Sequence, residues 1–331
     1  MNKKTRKIII MCCAVGIGIG IGWVGKTNVM NQDEQVLSVK EVRGGGYTFI
    51  NPLLECELPG GLYGGSELVF LQNKLQTFVD EKINKKDATH ISIYFRDLNN
   101  GPWFGINEAS DFSPASLLKV PVMMAYFKKA ETDSAFLSKE ISFTPGSVLP
   151  QTIIPHETDL VPGKSYTVIQ YIERMIINSD NQALTILEEH IPNELIDKIT
   201  IDLGIETADA STSENYMSVK SYASLFRMLF NGSYLNKEYS EKALSILSKV
   251  TYDKGLVAGV PPHISVAHKF GERELLGGVK QLHDCGIVYY PNRPYLLCVM
   301  TRGSTFEMLN VIIKSISQTI FETTKQYYVK K

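Results

Sequence analysis

The sequence predicts an α+β fold, with one antiparallel sheet flanked by terminal helices and an all-α lobe beside it. Three observations carry that reading. Strand patterns occur at 90–106 and again from 264 onward, near the two ends of the globular part. The stretch between them, 131–235, reads as helices and loops. A helical pattern flanks each strand group, at 67–85 and 306–327. With 331 residues, 44% hydrophobic and 21% charged, the chain can bury a large core. Its net charge of −1 gives no reason to expect nucleic acid or an acidic surface as a partner.

The elements follow in order. Lys3, Lys4, Arg6 and Lys7 precede an uncharged run of 18 residues, 8–25. A basic flank before a membrane-length apolar run makes residues 1–27 a membrane anchor or a cleaved signal segment, and the length of the run favours the anchor. Either way the remainder is exported, so the expected location is the cell membrane, single-pass, with the globular part outside the cytoplasm. Residues 28–60 are polar and then Gly-rich, which reads as a tether, although 47–58 is apolar enough to pack on the domain. The globular domain is then 61–331, with a sheet lobe at about 61–115 and 250–331 and a helical lobe at about 116–249.

Leu68, Leu71, Leu75, Val79 and Ile83 recur at helical spacing over 67–85. Ile91, Ile93 and Phe95 alternate as a strand, Asn99-Asn100-Gly101 is a turn, and 103–106 returns. A helix starts at Ser113-Pro114 and runs to about Ala130. Further helical patterns occupy 166–177, 182–190, 194–203, 219–230 and 237–250, with Asn231-Gly232 closing the fourth. Strands are expected at 264–270, 284–290 and 295–301, and a long helix closes the chain. Five cysteines permit a disulfide without implying one, and Cys298, inside an apolar run, reads as a buried small hydrophobe.

Chemistry enters at the helix that starts at Ser113. Ser116 and Lys119 stand three apart in a run too apolar for a surface helix, so they share one face of a buried element. A buried lysine loses its proton readily, and a lysine of depressed pKa beside a hydroxyl activates serine without histidine. Taken alone, Ser-x-x-Lys is a short and common pattern. A second polar cluster, Asn178-Ser179-Asp180-Asn181, falls between two helices, where a bland helix stop followed by an N-cap would also account for it. A third, Ala267-His268-Lys269-Phe270-Gly271-Glu272, is expected to end a strand. The six histidines show no metal-ligand spacing, so no metal or other cofactor is expected, and His268 and His283 read as structural.

In order and content these clusters resemble the motifs of the class A β-lactamase and penicillin-binding serine hydrolase family. The serine of the second lies 63 residues after Ser116, and Lys269 lies 90 after that. The resemblance extends to Lys254–Pro261, Asp284–Tyr289 and Thr301-Arg302-Gly303, and covers roughly 61–328. It implies the β-lactamase/D,D-peptidase-like fold. It also implies that Ser116 is acylated, that Lys119 helps take its proton, and that Ser179 relays a proton with Lys269 holding it. Asn181 would hydrogen-bond the substrate amide, and the backbone N–H groups of Ser116 and Glu272 would form the oxyanion hole. The implied partners are a β-lactam or a peptidoglycan stem peptide.

Two departures qualify that expectation. Lys269-Phe270-Gly271 stands where the family usually has Lys-Thr-Gly or Lys-Ser-Gly, so Phe270 replaces a hydroxyl that would meet the substrate's carboxylate, and Arg273 is a substitute charge. The loop that carries the family's deacylating glutamate looks shortened after Leu203-Gly204, with Glu214 standing about where that glutamate falls. The expected activity is β-lactam hydrolysis. The rivals are a D,D-peptidase, in which the acyl-enzyme persists, and a non-catalytic binding module keeping the fold.

Overall fold

The computed structural model describes residues 41–43, 45–56, 66–99, 101–146, 159–202 and 214–328. These belong to one compact unit, Val39–Leu58 with Gly64–Lys331. The expected membrane segment and Leu203-Gly204 lie outside the described residues. Among the described residues no helix is long and apolar enough to cross a membrane.

Two short strands, β1 (Glu41–Arg43) and β2 (Leu53–Cys56), pair antiparallel. Helix α1 (Ser66–Asn84) leads into the hairpin β3 (His90–Asp97) and β4 (Trp103–Ile106). After the short β5 (Asp111–Phe112), a 3-10 turn (Ala115–Leu118) runs directly into α2 (Lys119–Ala130). The helical lobe continues through β6 (Glu140–Ser142), β7 (Ser165–Thr167), α3 (Val168–Ile177), α4 (Asn181–Glu189), α5 (Asn193–Asp202), β8 (Met217–Ser218), α6 (Val219–Asn231) and α7 (Lys237–Leu247). Strands β9 (Val266–Glu274), β10 (Lys280–Val288) and β11 (Tyr295–Gly303) and helix α8 (Phe306–Tyr328) close the chain.

The main sheet has the order β4-β3-β11-β10-β9, all antiparallel, so strands from both ends of the chain pair at its centre. Each face is covered. Leu71, Leu75 and Val79 of α1 and Leu309, Ile313 and Ile316 of α8 pack with Ile91, Ile93, Leu297 and Val299 on one side. On the other, Cys285, Ile287, Leu296, Cys298 and Met300 join the core of the helical lobe. Because both faces are buried, the central strands read as near-continuous apolar runs rather than clean alternation.

Local chemistry sets the helix ends. Thr167 and Gln170 form a reciprocal capping box at the start of α3, Asn236 caps α7, and Gly232 at φ +57° closes α6 as expected. Five features depart from the sequence reading. Strand β9 does not end at Lys269-Phe270-Gly271 but continues to Glu274, and β10 begins four residues earlier than expected, at Lys280. The pairs β5–β8 and β6–β7 add strands to a stretch read as helix and loop. Cys298 is buried as expected, and it also forms a disulfide with Cys285 directly opposite it on β10. Part of the expected tether belongs to the domain: the N–H groups of Thr48, Phe49 and Ile50 all donate to the carboxylate of Glu241, and Ile50 is buried.

Candidate active site

The nucleophile turn is held by the elements around it. Pro114 precedes the 3-10 turn, and Ala115 adopts φ +47°, a left-handed conformation that a residue with a Cβ enters only at a cost. Ser116 follows, half-buried. The Leu117 N–H donates back to Pro114 O at 3.0 Å, and the Tyr222 hydroxyl of α6 donates to Leu117 O at 3.0 Å. Strand β9 presses against the same turn. A Cβ on Gly271 would come within 3.0 Å of Pro114 O and 3.3 Å of Leu117 N, so this strand position needs glycine for close approach.

Lys119 opens α2, one turn beyond Ser116, and is 1% exposed. Its Nζ donates to Ser179 O, to Ser179 Oγ at 3.0 Å and to Asn181 Oδ1 at 2.6 Å. Among the described residues no side-chain hydrogen bond joins Lys119 Nζ to the Ser116 hydroxyl, although the Lys119 backbone N–H donates to Ser116 O; the ammonium is turned toward the α3–α4 junction. Burial pushes the lysine down to about 7, opposed by the carboxylates of Asp180, Glu188 and Glu272.

That junction is built as the sequence implied, with one addition. Asn178 ends α3, Ser179 takes φ +58°, and the Asp180 carboxylate caps α4 by accepting from Gln182 N at 2.8 Å and Ala183 N at 3.2 Å. The helix stop and N-cap expected there are met, by Asn178 and Asp180. Asp180 holds the helix, while Ser179 and Asn181 meet Lys119.

Lys269 reaches the same serine from β9. It is fully buried and donates to Ser179 Oγ at 2.9 Å and to Phe270 O at 3.1 Å. Burial, and then the positive charge of Lys119, push it well below the ordinary lysine value. The Glu272 N–H also faces this region. Leu275 N donates to Val279 O and Tyr289 N to Ser265 O, so antiparallel alternation turns the Glu272 N–H away from β10. Strand β9 is the last strand of the main sheet, and Gly271 packs it against the Ser116 turn.

Two expected site residues stand elsewhere. Phe270 does not offer a ring to an open cleft. It is 2% exposed, stacks on Tyr252 with centroids 4.3 Å apart, and lies 4.2 Å from Lys269 Nζ. Strand alternation puts it on the opposite face of β9 from Lys269 and Gly271. Glu214 is exposed, and its carboxylate accepts from Arg273 at 3.3 Å, which also engages the arginine read as a substitute charge. Sequence reasoning missed Tyr222 and Gln281, whose contacts with the nucleophile turn depend on packing between distant elements and leave no local pattern.

A half-buried serine at the head of a buried helix, with two desolvated lysines meeting on a second serine between a sheet and a helical lobe, defines a serine β-lactamase-like hydrolase. The chain belongs to the beta-lactamase enzyme family, whose sequence profile matches residues 71–324. It is 23% identical over 270 residues to the beta-lactamase VEB-1 of Pseudomonas aeruginosa, covering 76% of this chain and 89% of that one. Its fold is similar to that of PBP-A, with a TM-score of 0.65 and 22% identity over 78% of this chain and 97% of the other. It is also similar to a beta-lactamase from Chitinophaga pinensis, with a TM-score of 0.67 and 21% identity over 76% of this chain and all of the other.

Proposed function

We propose that the protein is a membrane-anchored, extracytoplasmic serine hydrolase that is acylated by β-lactams at Ser116 and hydrolyses their amide bond. The observation that carries this reading is the pair of hydrogen bonds converging on Ser179 Oγ. It accepts from Lys119 at 3.0 Å and from Lys269 at 2.9 Å, so two buried lysines are held on one hydroxyl oxygen. A hydroxyl so placed is suited to protonate a leaving nitrogen. Lys119, pushed down to about 7 so that its free amine is populated at neutral pH, takes the Ser116 proton as Oγ attacks the carbonyl. In the free enzyme its Nζ rests on Ser179 and Asn181, and it reaches Ser116 when substrate is bound. The N–H groups of Ser116 and Glu272 receive the oxyanion. Asn181 binds the acyl side chain's amide. A variant of PBP-A, which shares the fold, has been solved as an acyl-enzyme with penicillin G.

A second reading, a D,D-peptidase acting on peptidoglycan stem peptides, is favoured by Glu214, which faces Arg273 at the surface. Without a base aimed at the ester, the acyl-enzyme persists. A fluorescent penicillin tests both enzymes against a binding module: covalent labelling that is lost in Ser116→Ala supports acylation, and no labelling excludes it. Nitrocefin turnover then separates the hydrolase from the peptidase.

The location rests on the basic flank and the apolar run at 8–25, and the Cys285–Cys298 disulfide supports an oxidising compartment. Recovery of the protein in a washed membrane fraction tests it; recovery only in the soluble fraction contradicts it.

A further inference from the structure

Two side chains of β10 grip the peptide that leads into the nucleophile turn. The Ser113 N–H donates to Gln281 Oε1 at 3.0 Å, and Ser113 O accepts from His283 Nε2 at 2.9 Å. Gln281 and His283 are both fully buried, two residues apart on one face of the strand. Each is held in turn. Gln281 Nε2 donates to Asn215 Oδ1 at 2.7 Å, and the Thr301 N–H donates to His283 Nδ1 at 3.3 Å. The second bond makes Nδ1 the acceptor, so the hydrogen sits on Nε2 and points at Ser113 O. Phe112 meets the imidazole edge-on at 5.3 Å. Burial keeps this ring neutral, pushed down to about 4.

The grip lies directly upstream of the strained position. With the Ser113 peptide fixed on both sides and Leu117 N tied to Pro114 O, the chain from 113 to 117 has little freedom except the left-handed bend at Ala115 that aims Ser116. Neither β10 side chain makes a hydrogen bond with Ser116, Lys119, Ser179 or Lys269 among the described residues.

We infer that Gln281 and His283 are positioning residues for Ser116, which set its aim by clamping both main-chain polar groups of Ser113. This rests on the reading of Ser116 as the nucleophile. Displacing a nucleophile by about 1 Å costs on the order of a hundredfold in rate. The test compares Gln281→Met and His283→Phe, which keep volume and remove the hydrogen bonds, with His283→Gln, whose amide can still donate to Ser113 O. Stopped-flow with a fluorescent penicillin resolves the acylation rate constant from the dissociation constant of the preceding complex, and a fluorophosphonate reagent reports Ser116 reactivity independently of substrate class.

The expected result is a fall of at least about tenfold in the acylation rate constant and in fluorophosphonate labelling for the two apolar variants. The dissociation constant stays nearly unchanged and His283→Gln recovers much of the rate. Folded variants that react at the wild-type rate would overturn the inference, as would losses that merely track the unfolded fraction. If the wild type reacts with the fluorophosphonate and not with penicillin, the substrate reading fails while the variant comparison still decides this one.

Discussion

Lys119 and Lys269 come from different lobes and meet on one atom, Ser179 Oγ, at 3.0 Å and 2.9 Å. Both are buried, and like charges at that separation cannot both be held cheaply away from water. The arrangement therefore favours losing a proton, which is what a serine without a histidine partner needs.

The pH dependence follows from Lys119. Its folded value is about 7 against an ordinary 10.5, so it binds its proton below pH 7 and is a free amine above. The acylation rate constant should rise through about pH 7 and level off. Because the folded value is depressed, the unfolded chain binds more protons between pH 7 and 10.5, and this group's contribution to stability increases across that window. Its upper bound is about 4 to 5 kcal/mol. Rate profiles of wild type and Lys119→Met, with denaturant midpoints from pH 6 to 10, check both. A flat profile in the wild type contradicts the role of the lysine.

Ser116→Ala should abolish covalent labelling while leaving the melting temperature within about 2 °C, since the half-buried hydroxyl makes no hydrogen bond among the described residues. Calorimetry and gel fluorescence check the two halves.

Phe270→Thr separates two views of the third motif. A ring facing the substrate would make threonine a gain in acylation by carboxylate-bearing β-lactams. The buried stack on Tyr252 makes it a cavity instead, costing about 3 kcal/mol with no gain in acylation. Denaturant midpoints and labelling rates measured on the same variant distinguish these.

The disulfide closes a short segment, with its cysteines 13 residues apart. Replacing Cys285 and Cys298 with alanine together should cost about 3 kcal/mol of unfolding free energy. A thiol count on the unfolded, unreduced protein should find neither cysteine free.

What was legible in the sequence was what local pattern encodes. Helices such as α1 and α6 repeat their apolar residues at helical spacing, and the order Ser116-Lys119, Ser179-Asn181, Lys269 marks the candidate site before any strand is paired. What was not legible depends on register. Cys285 meets Cys298, and Gln281 and His283 reach Ser113, because β10 lies between β9 and β11 in one alignment. Phe270 could not be assigned a face, since β9 is buried over most of its length and alternation gives no polar side to read. Glu214 was placed by counting along a loop, and counting does not give a carboxylate its partner.

The central claim is acylation of Ser116. Its most direct test is intact-mass spectrometry of the protein after incubation with benzylpenicillin, followed by peptide mapping. The account predicts a mass increase of one benzylpenicillin that maps to Ser116, persistent if deacylation is slow and captured only by rapid acid quench if it is fast. An unmodified protein at every quench time, with no penicilloate in solution, would contradict it.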